Sequence, residues 1–293
     1  MNTLSGYFLA LTAVFFWSLN YIIASYFAFQ TTPFEIAFGR WLIACLILFP
    51  FCWKELTEKK NLLFKNKLLI LEMATTGIVL SNTLIYYAGR TTSVTDMSLL
   101  NVLGPLLLIL LSHIFLKTAI PKKQVLGILC GILGVLIIIT KGNLNLFNNF
   151  SASIGDFFML LNALCFAFYG FLQYKRPKEI SQTLMLSVTA LIGVILMIPV
   201  MLIEQLPTFP ILELNWLDWS AIIYLGIFNS VLSYLAWNSA LIKIGVVKTG
   251  VLYYLLPVFS TVEAFFILGQ SIHFTQIIGG FFIIIGIVLI NRR

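Results

Sequence analysis

The sequence predicts an all-α polytopic membrane protein: ten transmembrane helices arranged as two inverted five-helix repeats. Three observations carry that expectation. The chain is 60% hydrophobic and only 10% charged, with a mean hydropathy of +1.00, whereas soluble domains are roughly 25% charged. Apolar runs of about twenty residues, the length that crosses the hydrocarbon of a bilayer, recur from one end to the other. The basic residues fall on one side of the alternation those runs define.

The first span, 5–26, has no basic segment before it and no small-residue cleavage site after it, so it reads as a retained helix and not as a signal peptide. Span 2 covers 33–52 and span 3 covers 67–88, with the longest charged connection, Trp53 to Asn66, between them. Spans 4 and 5 follow at 94–116 and 121–140, and spans 6, 7 and 8 at 153–173, 181–203 and 216–240. Spans 9 and 10 close the chain at 247–268 and 272–291. The connections are short and leave no room for a soluble domain. Cys45, Cys52, Cys130 and Cys165 sit within or at the ends of apolar segments without metal-ligand spacing, so neither a disulfide nor a metal is expected.

Orientation follows from charge. With both termini cytoplasmic, the inner side collects Lys54, Lys59, Lys60, Lys65, Lys67, Lys117, Lys122, Lys123, Lys175, Arg176, Lys178, Lys243, Lys248, Arg292 and Arg293, which is 15 of 18 basic residues. Arg40, Arg90 and Lys141 are the remainder, while Asp96, Asp156, Glu204, Glu213 and Asp218 mark the outer ends. This is the positive-inside pattern of a plasma (inner) membrane protein, so the net charge of +7 needs no nucleic acid to explain it.

The chain also repeats itself. An offset of 152 aligns Val94 with Val246, Pro105 with Pro257, Leu116 with Leu268, Gln124 with Gln276, Gly127 with Gly279 and Gly134 with Gly286. In spans 1 and 3 an offset of 149 aligns Gly6 with Gly155, Leu11 with Leu160 and Gly77 with Gly226. The halves are therefore 1–141 and 142–293. Five helices each is an odd number, so the second half must enter the membrane upside down, a plan common among secondary transporters.

Several of these features together resemble the EamA-like drug/metabolite transporters. They are the five-plus-five layout, the Phe38-Gly39-Arg40-Trp41 segment of span 2, the mid-helix prolines of spans 4 and 9, and the glycine-rich spans 5 and 10. The closest local match runs from Pro257 through Leu268-Gly269-Gln270 to Gly279 and Gly286. The resemblance implies a carrier of small molecules, in a family whose substrates range over amino acids, nucleotide-linked metabolites, sugars and drugs. Where the family pattern has a glutamate, this chain has Gln270, and Thr118 in the first half, so no role of that carboxylate is carried over.

Ionisable side chains in a membrane are costly and should be paired or face water. Glu35, Arg40, His113 and Glu263 are the candidates for gating or coupling. Arg40 lies about seven residues into span 2, hence roughly 10 Å deep, at a depth comparable to Glu263, and the two are expected to pair. Glu35 is expected near the outer interface, solvated or beside Arg40, and His113 on the inner half of span 4. A neutral constellation supplies the substrate-binding candidates: Trp17, Asn20, Asn82, Tyr86, Asn101, Asn162, Tyr169, Tyr234, Trp237, Asn238 and Tyr254, with Tyr21 and Tyr253 on the same faces. Amides and phenols also serve as interhelical glue. Collectively they suit a polar, aromatic cavity for an organic solute, and the absence of charged rings argues against an inorganic-ion path. Pro105 and Pro257 are hinge candidates. The span 5 and span 10 glycines read as close-packing faces within a monomer or across a homodimer.

These residues predict a secondary transporter of a small organic metabolite across the bacterial inner membrane. No HExxH, GxSxG, Walker motif or aspartate cluster is present, so an enzyme is not expected, no cofactor is called for, and energy must come from a gradient or from exchange. A lipid-handling protein or flippase is the alternative.

Overall fold

A computed structural model of the chain describes residues 3–92, 94–101, 103–117, 121–140, 153–205, 214–268 and 274–291. Thr118, Lys141, Asn148, Glu213, Gln270, Arg292 and Arg293 lie outside them. Among the described residues the fold is helical throughout, with no strand. The first half comprises α1 (Thr3–Ser18), α2 (Asn20–Tyr26), α3 (Pro33–Glu58), α4 (Lys60–Lys65), α5 (Lys67–Met73), a π-helical segment Ala74–Leu80, α6 (Ser81–Ala88), α7 (Val94–Asn101), α8 (Leu103–Leu116) and α9 (Lys122–Thr140). The second comprises α10 (Ile154–Lys175), α11 (Gln182–Gln205), α12 (Trp216–Tyr224), a π-helical segment Leu225–Leu232, α13 (Ser233–Ile244), α14 (Val246–Leu252), a 3₁₀ turn Tyr253–Leu255, α15 (Leu256–Leu268) and α16 (Phe274–Asn291).

Seven of these helical stretches are long and apolar enough to cross a membrane: Leu4–Tyr26, Pro33–Glu58, Lys67–Ala88, Ile154–Lys175, Gln182–Ile203, Trp216–Ile244 and Val246–Ile267. Three shorter apolar helices, Leu103–Phe115, Val125–Gly134 and Ile277–Leu289, fall where spans 4, 5 and 10 are expected. The protein is thus a multi-pass membrane protein. Its exterior fits a lipid solvent, since Phe8, Phe51, Leu46, Ile203, Phe266 and Phe281 are all exposed.

Polar side chains fix where the helices start. Thr32 with Glu35, Ser153 with Asp156, and Asn215 with Asp218 form capping boxes at the N-termini of α3, α10 and α12. Each side-chain oxygen takes up a backbone N–H that has no partner within the helix, and the carboxylate sits at the positive end of the dipole. Asp156 and Asp218, two of the acids expected at the outer ends, therefore have local helix-starting work, as does Glu35. The connection read as a charged loop is largely helical. α3 runs on to Glu58, and α4 fills Lys60–Lys65, because Lys59 reaches Glu55 at 2.7 Å one turn back and donates to the Glu179 carbonyl of the second half.

Several expected single helices are interrupted. Span 1 breaks between Ser18 and Asn20. Spans 3 and 8 each widen into a π-helical segment, at 74–80 and 225–232, that encloses the matched glycines Gly77 and Gly226. Side chains supply the donors there: Ser81 Oγ bonds the Gly77 carbonyl at 2.7 Å, Asn82 Nδ2 bonds those of Gly77 and Ile78 at 3.0 and 2.9 Å, and Ser233 Oγ bonds that of Phe228 at 2.7 Å. Gly77 must lack a side chain because a Cβ would lie 2.1 Å from the Tyr169 ring.

The packing joins the two halves throughout. α9 lies along α16, α3 along α11, α1 along α13, α10 against α6 and α8, and α14 against α8. The glycines of α9 and α16 serve contacts inside one chain: a Cβ on Gly134 would sit 2.5 Å from the Gly279 carbonyl oxygen, and one on Gly286 2.6 Å from that of Gly127. This backbone-to-backbone approach gives a sharp prediction. Gly134→Ala should lower stability by about 1–3 kcal/mol through overpacking. Gly280→Ala should be neutral or slightly stabilising, since its Cβ would meet only Val258, at 3.9 Å, while gaining helix propensity. Thermal melts of the two variants in one detergent decide it, and equal losses would refute the contact.

Candidate functional site

Where the halves meet, a small cavity of about 30 Å³ is lined by Trp17, Asn20, Tyr21, Ser81, Asn82, Ile85, Asn101, Asn162, Phe166, Asn229, Tyr234 and Tyr253. Five amides and five aromatic rings surround it, and no lining residue is charged. The volume admits a water molecule or two but is far below the roughly 300–1,000 Å³ of a ligand pocket. This conformation leaves no room there for an organic solute.

Hydrogen bonds between the halves hold the wall. Asn82 Nδ2 donates to the Tyr234 hydroxyl at 3.1 Å, and Tyr234 in turn donates to the Gly77 carbonyl at 2.8 Å. Asn101 Nδ2 donates to the Tyr253 hydroxyl at 2.5 Å and to that of Tyr21, while its Oδ1 accepts from Asn162 Nδ2 at 3.2 Å. The pair Asn101 with Tyr253 is separated by 152 residues, the spacing that aligns Pro105 with Pro257 in the sequence. Asn101 and Tyr253 also sit four residues before Pro105 and Pro257, where a proline cannot donate to the backbone carbonyl. At the second of these places the helix tightens, and the 3₁₀ turn Tyr253–Leu255 precedes α15.

An aromatic shell closes the same space. Trp17 lies with ring centroids 5.4 Å from Phe166, 5.6 Å from Tyr234 and 5.4 Å from Trp237, and Trp237 lies 5.4 Å from Tyr253. Trp17 Nε1 donates to the Asn229 carbonyl at 3.0 Å. Of the expected binding residues, Trp17, Asn20, Asn82, Asn101, Asn162 and Tyr234 line the cavity, together with Tyr21 and Tyr253. Tyr86, Tyr169, Trp237 and Asn238 form a layer behind it: Asn238 Nδ2 and Gln173 Nε2 both donate to the Tyr169 hydroxyl at 2.8 Å. Tyr254 is elsewhere, its ring pressed on Gly131 of α9.

Arg40 and Glu263 do not meet as expected. Arg40 Nε donates to Ser230 Oγ at 2.8 Å, Nη1 to the Tyr86 hydroxyl at 2.9 Å and Nη2 to Asn229 Oδ1 at 3.4 Å, with no carboxylate among these partners. Its guanidinium also stands 5.7 Å from the centroid of Trp41. Tyr86 passes the chain on to Asn20 Oδ1 at 3.3 Å, so Arg40 supports the cavity wall from behind. Glu263 Oε1 instead lies 2.5 Å from Ser18 Oγ. Glu35 is buried and neither solvated nor bonded to Arg40: it caps α3 through the Thr32 amide at 2.8 Å and takes the Thr31 hydroxyl. His113 is exposed on α8 and is not among the cavity residues.

Sequence reasoning missed Ser81, Ile85, Phe166 and Asn229 in the lining, and Ser230 beside Arg40. Phe166 was within reach, since it lies four residues after Asn162 on one helical face. Asn229 was not, because a regular helix traced back from Tyr234 points Ser230 inward, and only the widened π turn brings Asn229 round as well.

Packed apolar spans around a polar, uncharged cavity define a multi-pass membrane protein with a polar interior. The profile of the EamA-like transporter family matches residues 4–140 and again 153–292, and the chain belongs to that family. It is therefore a transporter and not an enzyme. An uncharacterized transporter of Bacillus subtilis, YyaM, is 30% identical over 288 residues, covering 98% of this chain and 94% of that protein. An uncharacterized transporter of Archaeoglobus fulgidus is 27% identical over 294 residues, covering 100% and 99%. A protein crystal structure superposes with a TM-score of 0.77 at 18% identity, covering 98% of this chain and 96% of that one, a likeness of fold.

Proposed function

We propose that this chain is a secondary-active transporter moving a small organic metabolite across the bacterial inner membrane by alternating access. The observation that carries the reading is the uncharged cavity of amides and aromatic rings at the seam between the halves. Five amides offer donors and acceptors to a polar or zwitterionic group, and the rings offer stacking faces, so the solute is amino-acid-like or a similar polar, aromatic molecule. With no nucleotide-binding motif in the sequence, a gradient or exchange drives it. Ten spans in two inverted halves, with both termini cytoplasmic, fit the double match to the family profile and the three shorter apolar helices. In an inverted pair, exchanging the conformations of the halves moves the opening from one side to the other. The paired prolines and the break after Ser18 lie where the spans would bend.

Single-cysteine variants in a background lacking the four native cysteines test this reading. Lys59→Cys and Lys178→Cys should react with an impermeant maleimide from the cytoplasmic side only, and Asn148→Cys and Glu213→Cys from the outside only. Asn162→Cys, in the cavity, should react from either side. Labelling of Asn148→Cys and Lys59→Cys from one side would contradict ten spans and the inversion; labelling of Asn162→Cys from one side alone would contradict alternating access.

A further inference from the structure

Glu263 is a buried acidic side chain that neither the helix caps nor the cavity wall employs. It is 8% exposed, and its Oε2 has no hydrogen-bond partner among the described residues. Its Oε1 is 2.5 Å from Ser18 Oγ, and that same hydroxyl oxygen is 2.6 Å from the Phe15 carbonyl oxygen. Counting protons decides the charge. A serine hydroxyl has one proton to give, and a carbonyl or a carboxylate can only accept. If Glu263 were ionised, Ser18 could satisfy one of its two neighbours, and the other contact would press two lone pairs together. Both contacts attract only when the Glu263 carboxyl carries a proton and donates it to Ser18 Oγ, while Ser18 donates to Phe15. A neutral carboxyl also accounts for a buried Oε2 with no donor, which an ionised one would not tolerate.

Among the described residues no basic side chain bonds Glu263. α15 holds no other titratable side chain, and α16 holds none. From the first span the neighbour is Ser18, since Tyr7 lies three turns away near the start of α1. Tyr224, at the end of α12, donates its hydroxyl to the Phe16 carbonyl at 3.1 Å. Tyr253, in the turn before α15, is held by Asn101, and Tyr254 packs on Gly131. On α9 the titratable groups are Cys130 and, at the N-terminal end, Lys122 and Lys123. Arg40 is engaged with Ser230, Tyr86 and Asn229.

We propose that Glu263 and Ser18 form a proton-binding site, occupied in this conformation and emptied when α1 and α15 part. The inference rests on the transporter reading and supplies its coupling ion. The geometry suits such a site, because Ser18 is the last residue of α1, at the break in span 1, between the cavity residues Trp17 and Asn20. Parting the spans there separates the carboxyl from its acceptor and admits water, to which the proton passes, leaving a carboxylate. No electrons move.

Two measurements test the proposal without a transported solute. The first is the infrared difference spectrum of wild type against Glu263→Gln at neutral pH, in water and in deuterium oxide. It should show a deuterium-sensitive carbonyl band of a protonated carboxyl, and Ser18→Ala should keep that band but move it to higher frequency. Carboxylate bands alone would overturn the proposal. Glu263→Gln should fold as well as wild type, because its amide N–H replaces the carboxyl proton as donor to Ser18. In the second, Ser81→Cys in the cysteine-free background reports opening by maleimide labelling. The closed form binds one proton more than the open form, so raising pH should favour opening by up to about tenfold per pH unit. The Glu263→Gln protein should show no such slope, and equal slopes in the two proteins would overturn the coupling. A failure to find any transported solute would count against the transporter reading alone.

Discussion

Arg40→Leu should be the most damaging single substitution in the chain, lowering stability by at least about 3 kcal/mol. Arg40 is 1% exposed, and its fork binds Ser230, Tyr86 and Asn229 together, joining α3 to the π segment of the second half and to α6. Leucine would remove three buried hydrogen bonds from a charged donor, each worth about 1.5–3 kcal/mol. Arg40→Lys should fail nearly as badly, since one ammonium on a flexible stem cannot reproduce the planar fork. The double variant Arg40→Gln with Glu263→Gln should show effects that add to within about 0.5 kcal/mol, because the two side chains share no hydrogen-bond partner. Coupling well beyond that in unfolding or melting measurements would restore the ion pair and contradict the separate partners of the two side chains.

Asn101→Leu is the second large expectation. The side chain bonds Tyr21, Tyr253 and Asn162 at once, so a leucine of similar size removes the centre of a polar cluster shared by both halves. Leaving a buried polar group unsatisfied costs about 1–3 kcal/mol each, and after partial relaxation the net loss should be about 3 kcal/mol. Tyr253→Phe should be milder by a factor of two or more, since it removes one partner and leaves Asn101 bonded to Tyr21 and Asn162. Equal losses from the two variants in thermal melts would show that Asn101 is not the hub.

Much of this architecture was legible in the residues, for reasons specific to a bilayer. Apolar runs announce the spans because lipid tolerates no unsatisfied backbone, and Pro257 stands just after the 3₁₀ turn that carries Tyr253. Side chains that face a cavity recur at helical spacing, which brought Trp17, Asn20, Asn82, Asn101, Asn162 and Tyr234 into the reading. Helical arithmetic failed where the helix itself changes. The π segments at 74–80 and 225–232 shift the inward face, hiding Asn229 and Ser230, and with them the true partners of Arg40. Charge misled for a different reason. Opposite signs at similar depth suggested that Arg40 and Glu263 meet, but depth along a span says nothing about the direction a side chain takes around it. Glu35 was misplaced because a capping box takes a carboxylate into the fold at the very end of a helix, where exposure was expected.

The central claim is that the seam between the halves is a solute site, and proteoliposome uptake tests it most directly. Wild type, Asn101→Leu and Asn82→Ala would be screened against a panel of amino acids and other small polar metabolites, with movement of a labelled lipid between leaflets followed in the same vesicles. At least one solute should enter through wild type, with apparent affinity lowered about tenfold or more by either variant, the loss of one hydrogen bond of roughly 1–3 kcal/mol, while the lipid stays in its leaflet. Uptake indifferent to both substitutions, or lipid equilibration with no solute moved, would contradict it.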